Sequence, residues 1–213
     1  MKGDKPMEDM SLEQMTENYY DVLKELGNIG AGNAMTALSQ MLQCKVDMKV
    51  PQVSLLEFSA VGEIMGGEEQ IMLAVFLGVE GDITGSMMFM VEEKSARHLI
   101  QKITMGMLPQ GSEFEEMGLS AMKEVGNIIT GAYLNSLSTL TNLKIFPTPP
   151  ALTLDMAGAI LSVPAIQFGI YGDKILLIQS NFQDEVELDG YFILVPDIES
   201  YEKILRALGL PVV

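Results

Sequence analysis

The spacing of hydrophobic residues divides the chain into helices and strands whose order occurs twice. In the first half, apolar residues recur at helical spacing from about residue 11 to residue 42, and strand-like runs follow. The predicted strands there cover 45–58, 69–79 and 82–91, and an amphipathic helix covers 93–105. The second half repeats this order with helix 113–142, strands 143–155, 173–180 and 186–195, and helix 197–208. Each half therefore predicts the order α-β-β-β-α.

One polar motif marks the same point in both halves. The stretch Asp21-Val-Leu-Lys-Glu-Leu-Gly-Asn-Ile-Gly-Ala-Gly-Asn33 recurs as Ser120-Ala-Met-Lys-Glu-Val-Gly-Asn-Ile-Ile-Thr-Gly-Ala132. Identical residues that share one offset of 99 positions include the pairs Glu25 and Glu124, Gly27 and Gly126, Asn28 and Asn127, Gly32 and Gly131, and Pro51 and Pro150. A shared offset across unrelated residue types indicates internal duplication.

The duplication predicts the fold class and the organisation of the chain. We expect an α+β fold with pseudo-two-fold symmetry, in which each half has a long helix, antiparallel strands and a second helix packed on the sheet. Residues 1–213 should form a single domain of two repeats, about 12–106 and 112–210. Residues 156–168 have no evident counterpart in the first half, and the pattern there predicts an inserted short helix ended by Pro164.

Composition narrows the classes of partner. The chain has 213 residues, and 48% of them are hydrophobic. Its net charge of −16 argues against nucleic acid and against an anionic membrane surface as binding partners. No run of about 18 apolar residues predicts a membrane span. Met1–Met10 is too polar for a secretory signal, so we expect a cytoplasmic protein. The single cysteine, Cys44, fits a small core residue, and the single histidine, His98, fits a surface position.

The repeated motif places a polar stripe on each long helix. On a helical wheel Asp21, Glu25, Asn28 and Gly32 lie together, as do Ser120, Glu124, Asn127 and Gly131. The predicted apolar face of the first helix lies opposite and consists of Val22, Leu23, Leu26, Ile29, Ala37 and Met41. Glycine inside a helix costs roughly 1 kcal/mol relative to alanine. The two stripe glycines therefore either leave room for a partner's backbone or serve helix packing, and the sequence leaves both open.

The stripe residues fit a reaction whose electrophile is supplied by another molecule. No nucleophile stands beside a base, and no metal-ligand cluster is evident in the sequence. An asparagine amide can hold and orient a water molecule, and a glutamate can pair with a partner's lysine. Phosphoryl transfer suits such a pair, since its catalysis consists mostly of positioning and charge neutralisation.

The full motif, [Asp/Ser]-x3-Glu-x2-Asn-x22-Pro, resembles the signature of the CheC/CheX/FliY family of chemotaxis phosphatases. Both copies are complete, ending at Pro51 and Pro150. The resemblance implies a hydrolase that removes the phosphoryl group from an aspartate of the response regulator CheY, beside Mg²⁺ held by CheY. No cofactor of the chain itself is implied.

The resemblance also implies roles for individual residues. Asn28 and Asn127 would orient the attacking water, and Glu25 and Glu124 would pair with a CheY lysine. Asp21, Gly32, Ser120 and Gly131 would contact the partner. CheC-type members also bind CheD, for which 156–168 with Asp155 at its start is the candidate surface, an extra core helix being the alternative. A non-catalytic module that binds phosphorylated CheY, or a flagellar-switch adaptor, is the alternative function.

Overall fold

The computed structural model describes residues 12–44, 46–48, 52–168, 174–183 and 187–210. In these segments the two halves contain the same seven elements in the same order. The first half consists of α1 (Leu12–Leu42), β1 (Asp47–Met48), β2 (Gln52–Glu57), α2 (Phe58–Ile64), β3 (Ile71–Gly81), β4 (Gly85–Glu92) and α3 (Glu93–Ile103). The second half consists of α4 (Glu116–Thr141), β5 (Ile145–Pro147), β6 (Ala151–Met156), α5 (Ala157–Phe168), β7 (Lys174–Gln183), β8 (Glu187–Pro196) and α6 (Ile198–Ala207). The predicted α+β fold with internal duplication is confirmed.

The strands of both halves join into one antiparallel sheet. Its centre is the pair β4–β8, where Phe89 lies opposite Phe192. Outside this pair, β3 and β7 hydrogen-bond to β4 and β8, respectively. The edges are exchanged between the halves, because β1 and β2 pair with β7 while β5 and β6 pair with β3. Each half therefore completes the sheet of the other.

Helices cover both faces of this sheet, so its central strands are buried on two sides. Alternate residues of β3 separate into two cores: Leu73, Val75, Leu77 and Val79 join α1, α3, α4 and α6, whereas Met72 and Ala74 join α2 and α5. Burial on both faces explains why β3 and β4 have nearly continuous apolar sequences rather than a simple alternation. The molecule consequently has three layers.

Helices α1 and α4 pack side by side over one face, and small residues line their contact. A Cβ atom added at Gly30 would overlap the Tyr133 ring. Asn33 Nδ2 donates a hydrogen bond to Ser136 Oγ at 2.8 Å, between residues 103 positions apart. Gly30 and Asn33, like Tyr133 and Ser136, lie about one turn apart, so the two contacts occupy neighbouring turns of each helix.

Three details of the sequence prediction are wrong. The helix that Pro164 is expected to end continues as α5 to Phe168, with Pro164 inside it. Residues 58–64 form α2, which stands in the first half where α5 stands in the second, so 156–168 contains no unmatched helix. The apolar face of α1 is also rotated from the prediction: Ile29, Ala37 and Met41 are only half-buried. Among the α1 residues whose burial is described, Val22 and 25–42, the fully buried positions are mostly small, namely Leu26, Gly27, Gly30, Ala31, Ala34, Met35 and Leu38. Close packing against α4 favours small residues that a hydrophobicity pattern under-weights.

The segment joining the halves is anchored by a buried carboxylate. Glu113 accepts hydrogen bonds from Gln101 Nε2 at 2.8 Å, Arg97 Nη1 at 2.9 Å and the Gly111 backbone N–H at 3.0 Å. The bond from Gln101 leads the interactions that hold the pKa of Glu113 below its ordinary value. The start of α4, and with it the second motif, is thereby fixed to α3.

Candidate functional site

The two motif copies lie on the outer flanks of the α1–α4 pair and face away from each other. At about 100° per residue, Asn127 lies about 120° from Tyr133 and about 180° from Ser136, the residues that contact α1. The corresponding angles from Asn28 to Gly30 and Asn33 are about 160° and 140°. The structure therefore presents two separate polar stripes, one on each helix.

Within each stripe the exposure of the side chains follows the same order. Glu25 and Glu124 are exposed, whereas Asn28 and Asn127 are half-buried. Each asparagine therefore sits where the exposed flank of its helix meets the protein body. The carboxylates stand clear of that body, so they are free to pair with a partner.

The stripe glycines border open space. A Cβ atom added at Gly32 or Gly131 would meet nothing within 4 Å. By contrast, a Cβ atom at Gly126 would overlap Val75 of β3. The glycine between the motif glutamate and asparagine thus lets α4 lie close against the sheet, a positioning role that the sequence interpretation missed. The signal was present, since Gly27 and Gly126 share the offset of the motif residues.

The two asparagines differ in their surroundings. Asn28 Oδ1 is buried, and within the described segments no hydrogen-bond donor reaches it. Asn127 has no such buried orphan atom. An unpaired buried amide oxygen is unfavourable and retains its capacity to accept a hydrogen bond. Asn28 would have to rotate outward to present this oxygen to a ligand.

Other predicted residues are placed as follows. Ser120 is exposed on α4, and Pro150 is half-buried directly before β6. The side chain of Asp21 and the whole of Pro51 lie outside the described residues. Asp155 is exposed on β6 opposite Met72, which places it on the α2 and α5 face of the sheet, away from the motif stripes. Its Oδ1 accepts a hydrogen bond from the Met156 backbone N–H at 2.8 Å.

The remaining reactive residues lie apart from the stripes. Cys44 is a half-buried free thiol just beyond the end of α1, and His98 is half-buried on α3. In the described ranges, no three His, Cys, Asp or Glu residues are grouped in a way that could hold a metal ion. None of the described helices is both long and apolar enough to cross a membrane.

Comparisons with known proteins agree with this architecture. The model of the CheC-like family matches residues 20–55 and 117–154, which contain the two motif copies. Among solved structures, FliY from Thermotoga maritima superposes with a TM-score of 0.71 at 20% identity, over 94% of this chain and 98% of that one. CheX from a Borrelia burgdorferi complex with CheY, BeF3 and Mg²⁺ superposes with a TM-score of 0.52 at 18% identity, over 80% and 96% of the two chains. These two likenesses establish the fold.

A curated relative extends the agreement to sequence. The CheY-P phosphatase CheC of Bacillus subtilis (strain 168) is 36% identical over 200 residues, which cover 91% of this chain and 95% of the relative. Similarity at this level over almost the whole of both sequences, together with two complete motifs, shows that the chain belongs to the CheC-like family.

Proposed function

We propose that this protein is a phosphatase that hydrolyses the aspartyl phosphate of the response regulator CheY. The observation that carries the proposal is the pair of matched stripes, each with an exposed glutamate, a half-buried asparagine and a glycine bordering open space. The 36% identical relative is named a CheY-P phosphatase, which supports the same substrate.

In this reaction the nucleophile is a water molecule, and the stripe contributes the position of that water. The side-chain amide of Asn28 or Asn127 hydrogen-bonds a water molecule and holds it in line with the phosphorus–oxygen bond to the partner's aspartate. The water oxygen bonds to phosphorus as that bond breaks, its proton passes to solvent, and the products are inorganic phosphate and a free aspartate. The amide does not titrate, so its contribution is to orientation.

Each exposed glutamate holds the partner in place. Glu25 and Glu124 lie one turn before the asparagines, where a carboxylate can pair with a lysine of CheY. Ser120, Gly32, Gly131 and, by its place in the motif, Asp21 complete the contact surface. The chain brings no cofactor of its own, and Mg²⁺ belongs to the partner, in keeping with the CheX complex that contains CheY and Mg²⁺.

The decisive experiment follows phosphate loss from CheY labelled with acetyl phosphate. The double variant Asn28→Ala/Asn127→Ala should lower the hydrolysis rate by at least about 100-fold, since general positioning contributes this much or more. Its thermal unfolding should match the parent, because both side chains lie at the surface margin. Gln110→Ala, which removes an exposed amide from the linker between the halves, is the matched control.

The same assay decides between the two candidate functions. If the parent chain at saturating concentration leaves the decay of phosphorylated CheY unchanged but binds it, the protein is a non-catalytic adaptor and the proposal is wrong. Glu25→Ala/Glu124→Ala should weaken binding with a smaller effect on turnover. A variant of the glutamates that binds normally and does not turn over would contradict the lysine-pairing role.

A second partner, CheD, is proposed for the opposite face of the molecule. Val163 and Ile166 of α5 are exposed by 54% and 75%, and Ile64 at the end of α2 is exposed by 39%. These apolar side chains, with Asp155 on the same side of the sheet, provide a surface separate from both stripes. We place the encounter with both partners in the cytoplasm, the compartment expected from the sequence.

A further inference from the structure

The two halves have different residue types at equivalent positions of paired strands. From this difference we infer that phosphorylated CheY, when bound at the α4 stripe, also docks on an apolar shelf formed by Ile71, Leu154 and Met156. The inference rests on the proposed function and specifies the contact surface of one of its two sites.

The shelf lies on the same face of the sheet as α4. In β3, Leu73, Val75, Leu77 and Val79 join the core beneath α1 and α4, so Ile71 continues that face. Met156 lies directly opposite Ile71, and Leu154 lies opposite Leu73. Directly opposed residues of antiparallel strands share a face. Leu152, opposite Val75, does pack against this core, which agrees with the assignment.

The shelf lies on the side of α4 to which the stripe points. In the sheet order, β6 lies beyond β3 on the side away from β4 and β8, and the stripe faces away from α1. Gly126 meets Val75, and the strand after α4 pairs with the Val79–Gly81 end of β3. The earlier turns of α4 therefore extend toward Ile71, which is roughly 13 Å from Val75 along the strand.

The exposure of the shelf is high for large apolar side chains beside a polar motif. Ile71, Leu154 and Met156 are exposed by 37%, 38% and 44%. Apolar side chains grouped next to polar contact residues are typical of protein interfaces. A partner that inserts its phosphorylated site against Glu124 and Asn127 would cover this group.

The first stripe has charged residues at the equivalent positions. There β2 pairs with β7 in the same register as β6 pairs with β3. Glu57 lies opposite Lys174, and this pair corresponds to Met156 opposite Ile71 beside the α4 stripe. Leu55 corresponds to Leu154. A partner that covers an apolar shelf removes no charge from water, whereas covering a charged pair would desolvate both charges. Because the shelf lies beside the stripe of Glu124 and Asn127, the partner proposed for that stripe, CheY, is its occupant.

The test exchanges these pairs between the two sites of the full chain. In an Asn28→Ala background, which leaves the α4 site to act, Ile71→Lys/Met156→Glu should raise the KM for phosphorylated CheY about tenfold and change kcat less than about twofold. In an Asn127→Ala background, Glu57→Met/Lys174→Ile should lower the KM. Each exchange introduces a pair that the other half already accommodates in the same register, and thermal unfolding checks that the fold is retained.

Binding of beryllofluoride-activated CheY by calorimetry gives an independent readout. A tenfold weaker Kd for Ile71→Lys/Met156→Glu supports the shelf, and an unchanged Kd overturns it. A change in oligomeric state with unchanged Kd identifies the group as a surface for a second copy of the chain and also overturns the inference. If no variant or parent hydrolyses phosphorylated CheY, the proposed function fails, while the Kd still decides the shelf.

Discussion

At the scale of single residues, two glycines of the second motif have different surroundings. Gly126 is buried against Val75 and sets how closely α4 approaches the sheet, whereas Gly131 borders open space. Asn127 lies between them at the margin of the protein body. A Cβ atom at the open glycine would meet nothing within 4 Å, and we propose clearance for a partner as the reason for a helix-weakening residue at this position.

The clearance role predicts a loss of activity from a residue that takes no part in the chemistry. In an Asn127→Ala background, Gly32→Leu should lower the rate of CheY dephosphorylation by at least tenfold, because the leucine side chain occupies the space that the partner needs. The folded state should tolerate this change, since a Cβ atom at Gly32 meets nothing within 4 Å.

Gly32→Ala serves as the control for helix propensity. It should unfold at the same or a slightly higher denaturant concentration, because alanine stabilises helices by about 1 kcal/mol relative to glycine. Full activity of Gly32→Leu in the same background would show that the partner does not approach this backbone.

At the scale of the elements, the sequence predicted well where the apolar pattern is strong and poorly where helices pack closely through small residues. The amphipathic helices α3 and α6 and the central strands have strong patterns, and their predicted bounds differ little from the structure. Helix α2 was not predicted because it is only 7 residues long and follows β2 with no loop residue between them. The contact of α1 with α4 was not predicted, because the glycine and alanine residues that close packing requires contribute little to a hydrophobic pattern.

Gly30 and Gly131 provide a matched pair of substitutions that tests the α1–α4 contact. Both are glycines inside a long helix, but only Gly30 faces a side chain of the other helix. Gly30→Ala should lower the free energy of unfolding by about 1–3 kcal/mol, since its Cβ atom would overlap the buried Tyr133 ring. Gly131→Ala should be neutral or stabilising by up to about 1 kcal/mol, because its Cβ atom meets open space. Urea denaturation measures both values.

A compensating change tests the cause of the effect. Tyr133→Leu removes the overlapping ring, so Gly30→Ala should cost less in that background than in the parent. Equal costs of Gly30→Ala and Gly131→Ala in the parent would mean that the helices do not approach as closely as described.

At the scale of the whole molecule, the duplicated motif identified the residues of the candidate site, whereas the sheet topology could be predicted only in part. Glu25, Asn28, Glu124 and Asn127 stand out because one offset repeats across several residue types. The exchange of edge strands pairs residues far apart in sequence, such as Leu73 with Leu154, and local patterns carry no information about such partners. The sequence analysis predicted antiparallel strands in each half but not how they join or in what order.

The exchanged edges predict that neither half folds alone. A chain cut between Pro109 and Gln110, in the exposed linker, separates β3 from β5 and β6, and β7 from β1 and β2. Each isolated half also exposes its side of the β4–β8 pair. We expect residues 1–109 and 110–213 to lack a cooperative thermal transition by circular dichroism when separate, because each loses sheet partners and half of the core.

Mixing the two pieces should restore that transition, since the strand exchange, the α1–α4 contact and the Glu113 cluster need no covalent link to re-form. Activity toward phosphorylated CheY should return in parallel with the folded signal, because the motif of each half depends on a sheet completed by the other. A cooperative transition in either piece by itself would show that one repeat is an autonomous unit and that the shared sheet is not what holds the two stripes in place.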